Sequence, residues 1–111
     1  STHLSCLVTN DKYMWKGHCE SLSQQGGKMV ITTPHLIPGN ILTLHFHRFK
    51  GLKAFNLVCE IIGKELCSNL ITQSSPTNYI VRFIKFGPYA EETIQQILEK
   101  EENHENLNNH K

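Results

Sequence analysis

The sequence has no long hydrophobic run, no C-x-x-C pair and almost no excess of charge of either sign. A helix needs about 20 consecutive apolar residues to cross a membrane, so membrane insertion is not expected. Eleven lysines and arginines stand against ten aspartates and glutamates, for a formal net charge of +1. This balance gives no electrostatic reason to expect binding to DNA, RNA or an anionic membrane surface.

The four cysteines do not follow the spacing of a zinc site or of a disulfide framework. Cys6, Cys19, Cys59 and Cys67 each lie in an apolar or strand-like segment. A free cysteine behaves as a small hydrophobic residue, and disulfides form in oxidising compartments. We therefore expect reduced core thiols in a cytoplasmic protein.

Recognisable catalytic motifs are missing as well. The sequence contains no G-x-S-x-G, and the segment Gly26-Gly27-Lys28 lacks the other residues of a phosphate-binding Walker loop. His45 and His47 fall on one face of a predicted strand and could form a metal pair, but no third ligand is evident. We expect no catalytic residues, no metal site and no resident cofactor.

The sequence does contain a succession of short β-strand patterns. Alternating or β-branched segments occur at residues 4–8, 13–19, 29–33, 41–47, 54–62 and 79–86. The connections are too short for crossover helices, which predicts antiparallel pairing. Residues 63–65 are interpreted as a turn. The 111 residues fit one domain, an all-β barrel of five to seven strands.

The pattern changes after Pro88. Ile94, Ile97 and Leu98 recur at intervals of three and four, which predicts an amphipathic helix over residues 90–100 packed on the barrel. Residues 101–111 are polar and rich in asparagine. We therefore divide the chain into a barrel with its helix, residues 1–100, and a disordered tail, residues 101–111.

A serine- and glycine-rich segment, residues 21–27, separates the second and third strand patterns. Its hydroxyl groups could bind a ligand, and its two glycines could let the backbone approach that ligand closely or adopt positive φ angles. Consecutive backbone N–H groups in such a turn can bind an anion. The alternative is a simple connection between two strands, and the segment by itself favours that alternative.

The order of these features resembles the PilZ domain family. Residues 19–31 resemble its D/N-x-S-x-x-G signature followed by an apolar strand, and residues 36–44 are similar to the next turn and strand. The family's long strand, closing strand and C-terminal helix are matched by residues 54–62, 79–83 and 91–98. The resemblance implies a bacterial six-stranded antiparallel β-barrel, in many members a receptor for cyclic di-GMP.

In the binding members, an R-x-x-x-R segment and the D/N-x-S-x-x-G turn form the nucleotide site. The resemblance implies a partial or vestigial site here, made by Ser21, Ser23, Gly26 and Gly27. Ser21 occupies the Asp or Asn position, and its shorter side chain satisfies fewer donors on a guanine edge. The R-x-x-x-R segment is not seen, because the two arginines are Arg48 and Arg82, both further along the chain.

These departures lead to a prediction of function. We expect a non-enzymatic bacterial regulatory domain that contacts a protein partner in cyclic di-GMP-type signalling, the control of motility, pili or biofilms, with nucleotide binding weak or lost. The first alternative is a functional cyclic di-GMP receptor whose arginine segment lies upstream of residue 1. The second, a metal-binding or catalytic barrel, would require the histidines to converge.

Overall fold

Six strands and one helix follow one another in the computed structural model, which describes residues 4–48, 50–65 and 76–108. The elements are β1 (Leu4–Thr9), β2 (Met14–Leu22), β3 (Gly26–Ile31), β4 (Ile41–Phe46), β5 (Phe55–Glu65), β6 (Thr77–Phe86) and α1 (Ala90–Asn108). The first four strands and the last lie within a few residues of the predicted positions, because each is short and rich in alternating apolar residues.

The strands close into a barrel in the order β1-β2-β3-β6-β5-β4, with β1 hydrogen-bonded to β4. Every pairing is antiparallel. Closure gives each of the six described strands two neighbours, so that none of them leaves an unpaired sheet edge. The predicted fold, a six-stranded antiparallel β-barrel with one C-terminal α-helix, is confirmed.

The barrel interior is filled by the inward-facing residues of all six strands. Helix α1 adds Ala90, Ile94 and Ile97, whose spacing places them on one face against the barrel. Cys6, Cys19 and Cys59 are free and buried in this core. Burial raises the pKa of each of these thiols from 9.0 to about 12. Cys67 lies outside the described residues.

Two boundaries differ from those predicted. Residues 63–65, interpreted as a turn, continue β5 as far as Glu65, and two register shifts against β6 accommodate the extra length. The helix runs eight residues past Lys100, to Asn108, because this stretch contains no proline or glycine to end it. The predicted tail, residues 101–111, therefore begins within the helix, and residues 109–111 lie outside the described part.

Tyr79 connects the core to the loop between β3 and β4. Its side chain is fully buried, and its hydroxyl donates a hydrogen bond to the Thr33 carbonyl oxygen at 2.6 Å. The Tyr79 hydroxyl oxygen in turn accepts a hydrogen bond from the Leu36 N–H at 3.2 Å. Burial raises the pKa of Tyr79, and the bond from Leu36 acts in the opposite direction. One side chain of β6 thus holds a loop that joins two other strands.

Replacing Tyr79 by phenylalanine should destabilise the barrel. The change leaves the Thr33 carbonyl and the Leu36 N–H without their buried partner, a loss of about 1–3 kcal/mol in the free energy of unfolding. Urea unfolding measures the loss. The control is Tyr13→Phe, since Tyr13 is 62% exposed. Equal stability of the two variants would contradict the assigned role of the Tyr79 hydroxyl.

Candidate functional site

The segment predicted as a turn, residues 21–27, is mostly strand. Ser21 and Leu22 end β2, and Gly26 and Gly27 begin β3. Three residues, 23–25, connect the two strands. The candidate site thus consists of a tight hairpin turn and the two nearest residues of each flanking strand.

Ser23 closes this turn with its own backbone and side chain. Its N–H donates to the Gly26 carbonyl oxygen at 2.8 Å, and its hydroxyl donates to the same oxygen at 3.1 Å. The hydroxyl oxygen also accepts hydrogen bonds from the N–H groups of Gln25 and Gly26, each at 3.2 Å. The backbone donors that could have formed an anion-binding concavity are therefore directed at Ser23.

Ser21 reaches the outer surface because of a bulge. The register between β2 and β3 shifts between Cys19 and Ser21, which adds Glu20 as an extra residue. After the shift the Ser21 side chain is exposed, while Leu22 packs against the core. The Ser21 carbonyl accepts a hydrogen bond from the Cys19 thiol at 3.0 Å. Of the four predicted site residues, Ser21 and Ser23 are both exposed, and the Ser23 hydroxyl is hydrogen-bonded within the turn.

Gly26 and Gly27 are required by the neighbouring strands. A Cβ atom on Gly26 would lie 2.1 Å from the Val81 carbonyl oxygen, and one on Gly27 would lie 2.3 Å from that of Ser21. Neither glycine has a positive φ, which among the described glycines occurs at Gly39 and Gly51. Gly26 and Gly27 were predicted to let the backbone approach a ligand, whereas the close approach seen here is to the strands β6 and β2.

The basic side chains beside the turn are neutralised. Arg82 lies opposite Gly26 on β6 and forms a salt bridge with Glu60 on β5. Lys28 forms a second, with its Nζ 3.1 Å from an oxygen of Glu65. The charges of these four side chains sum to zero, so this surface has no net attraction for a phosphate.

The histidines do not converge in the described part of the chain. His45 contacts the Thr9 hydroxyl through Nε2 at 3.1 Å. Among residues 4–48, 50–65 and 76–101, no group of three histidine, cysteine or acidic side chains is arranged to hold a metal ion. The described helix is not long and apolar enough to cross a membrane.

The outer surface of the barrel carries an apolar patch that was not predicted from the sequence. Ile41, Ile62, Ile80 and Ile84 lie on the adjacent strands β4, β5 and β6, and each is between 41% and 50% exposed. We call these four residues the isoleucine face. The sequence feature that could have predicted this face is the run from Tyr79 to Phe86. It has apolar residues at successive positions, and these therefore lie on both sides of β6.

Comparisons with known proteins add no relationship to this description. No family model, no curated protein and no solved structure matches the chain. The resemblance to PilZ domains therefore stays a prediction made from the order and spacing of short motifs.

Replacing Gly26 by alanine should destabilise the barrel with or without a ligand. The added methyl group must displace the β6 backbone, and we expect a loss of about 1–3 kcal/mol in the free energy of unfolding. Gly63→Ala is the matched control, since its Cβ would find its nearest neighbour, an atom of Ile80, at 3.8 Å. Urea unfolding of both variants checks the prediction. An unchanged stability of Gly26→Ala would show that the close approach is not a constraint.

Proposed function

We propose that this chain is a non-enzymatic bacterial regulatory domain of the PilZ type that acts through protein contacts. Cyclic di-GMP binding is weak or lost. The observation that carries the proposal is the isoleucine face, an exposed apolar surface on a barrel whose core is already filled. Contiguous exposed apolar patches on soluble domains are typical of interaction sites.

Weak nucleotide binding is supported by the geometry of the turn. The N–H groups of Gln25 and Gly26 bond to Ser23, and Arg82 and Lys28 are paired with carboxylates. A phosphate would have to compete with these partners. Ser21, at the position of the family's Asp or Asn, has neither a carboxylate nor an amide to offer a guanine.

The second element of the proposal is the partner, which we take to be a second copy of this chain. Glu60 and Arg82 are direct neighbours across β5 and β6, and they lie among the residues of the isoleucine face. A twofold axis in the plane of the interface, parallel to the strands and between these residues, places each arginine against the glutamate of the other copy. The face is thus complementary to itself in charge as well as in apolar character.

A cytoplasmic location is part of the proposal. Cys6, Cys19 and Cys59 are free thiols packed in the core. Buried unpaired cysteines are common in proteins of reducing compartments, whereas secreted proteins use cysteines mainly in disulfides. The barrel is stabilised by its apolar core without any bridge among these three residues.

Calorimetric titration with cyclic di-GMP tests the nucleotide part of the proposal. With protein at about 50 μM we expect no saturable heat, because loss of charge-assisted contacts removes several orders of magnitude in affinity. GMP serves as the control ligand. A micromolar dissociation constant for cyclic di-GMP would contradict the proposal and favour a working receptor.

Sedimentation velocity over a range of protein concentrations tests the contact surface. We expect a monomer–dimer equilibrium that Ile80→Lys weakens at least tenfold, since it places a charge in an apolar interface. Met14→Lys is the matched control, because Met14 is 65% exposed on β2, a strand that pairs with β1 and β3 and not with the strands of the face.

The ion pairs provide a second comparison within the same experiment. Arg82→Glu should weaken the dimer, because each glutamate then opposes another carboxylate. Adding Glu60→Arg to that variant restores opposite charges and should restore the dimer. A monomer at all concentrations, or equal effects of Ile80→Lys and Met14→Lys, would exclude the second copy as the partner of this face.

A further inference from the structure

A cavity of about 240 Å³ lies at the end of the barrel where β1 and β5 begin and β4 ends, beneath α1. Its apolar wall includes Leu4, Phe46, Phe55 and Ile97, all of which are buried. The rings of Phe46 and Phe55 are stacked with their centroids 4.8 Å apart. A space of about 150 Å³ lined by apolar side chains can hold a benzene molecule, so this one has room for a ring with a short substituent.

A buried hydroxyl group also lines the cavity. Thr93 of α1 is 3% exposed, and its hydroxyl has no hydrogen-bond partner among the described residues. Thr33, the other buried polar residue, accepts a hydrogen bond from the His35 N–H at 3.3 Å. Buried polar groups in folded proteins are almost always paired. The Thr93 hydroxyl is thus available to a polar atom of a molecule in the cavity.

The other polar contributors to the lining are largely basic. His47, Arg48 and Lys53 line the cavity and are exposed at its mouth, and no carboxylate lies among the lining residues. Lys53 lies over the Tyr89 ring, with its Nζ 3.9 Å from the centroid. Arg48 has no acidic partner in the described part of the chain. Positive charge at the mouth of an apolar cavity favours an anion with an apolar body.

We propose that this cavity is a binding site for a small organic carboxylate with one ring or a short aliphatic chain. The apolar part contacts Phe46, Phe55 and Ile97. The carboxylate pairs with Arg48 and Lys53 at the mouth, and the Thr93 hydroxyl donates a hydrogen bond to a ligand oxygen. The site shares no residue with the isoleucine face or with the turn at Ser23, so it stands independently of the proposed function.

Titration of the isotopically labelled full chain, followed by amide chemical shifts, tests the site. The probes are phenylacetate and hexanoate, which distinguish a ring from a chain, and the neutral analogue phenylacetamide. We expect saturable shifts around Phe46 and Thr93 with at least one carboxylate, and at least tenfold weaker binding of phenylacetamide because it lacks the charge. No saturation by either carboxylate at about 10 mM, or equal binding of phenylacetamide, would overturn the proposal.

The two arginines of the chain provide a matched pair of variants. Arg48→Gln should weaken binding of the carboxylate about tenfold, while Arg82→Gln should leave it unchanged because Arg82 is bound to Glu60 on the outer surface. Equal effects of the two variants would show a general charge effect and overturn the assignment.

Thr93→Val tests the hydroxyl without changing the shape of the side chain. A merely structural threonine would lower stability when replaced, and its loss would not change the preference among ligands. We expect the opposite, with stability equal or higher because an unpaired buried hydroxyl is removed, and with affinity for the carboxylate reduced several-fold. Unchanged affinity in a folded Thr93→Val protein would remove this residue from the site and contradict the proposed geometry.

Discussion

The pairing of β3 depends on two glycines that let its backbone lie in close contact with the strands on both of its sides. At Gly26 and Gly27 there is no room for a Cβ atom, since β6 approaches from one side and β2 from the other. This close approach brings Gly26 opposite Arg82 and allows the hairpin to turn within three residues. The exposure of Ser21 follows from the bulge at Glu20, and the ion pair of Arg82 follows from the register of β6 against β5, in which Glu60 lies opposite.

The two arginines lie on different surfaces of the barrel, and their electrostatic environments differ. Arg82 projects from the outer side of β6 and is neutralised by Glu60 on the next strand. Arg48 follows β4 and lines the mouth of a cavity that has basic residues but no carboxylate. The chain has a formal net charge of +1, but its charges are unevenly distributed. The isoleucine face is apolar apart from the Glu60–Arg82 ion pair, whereas the mouth of the cavity is basic. The first suits a protein contact and the second a small anion.

Strand β6 shows how one segment can serve the interior and the exterior together. Tyr79 and Val81 fill the core, while Ile80 and Ile84 extend into solvent on the opposite side. The Tyr79 hydroxyl also fixes the loop between β3 and β4 through two hydrogen bonds. The effect of a substitution in β6 can therefore be predicted from its position. Odd positions from 79 to 83 face the core and affect stability, whereas even positions face outward and affect the outer surface.

The sequence by itself determined the local structure, because apolar periodicity and turn residues act over a few neighbouring positions. It predicted the strands within a few residues and the start of the helix at Ala90. The register, the bulge beside Ser21 and the extension of β5 through Gly63 were decided only by the tertiary structure, since they depend on which strand lies alongside. The same holds for the isoleucine face and for the cavity under Thr93, whose residues are distant in sequence and meet only when the barrel closes.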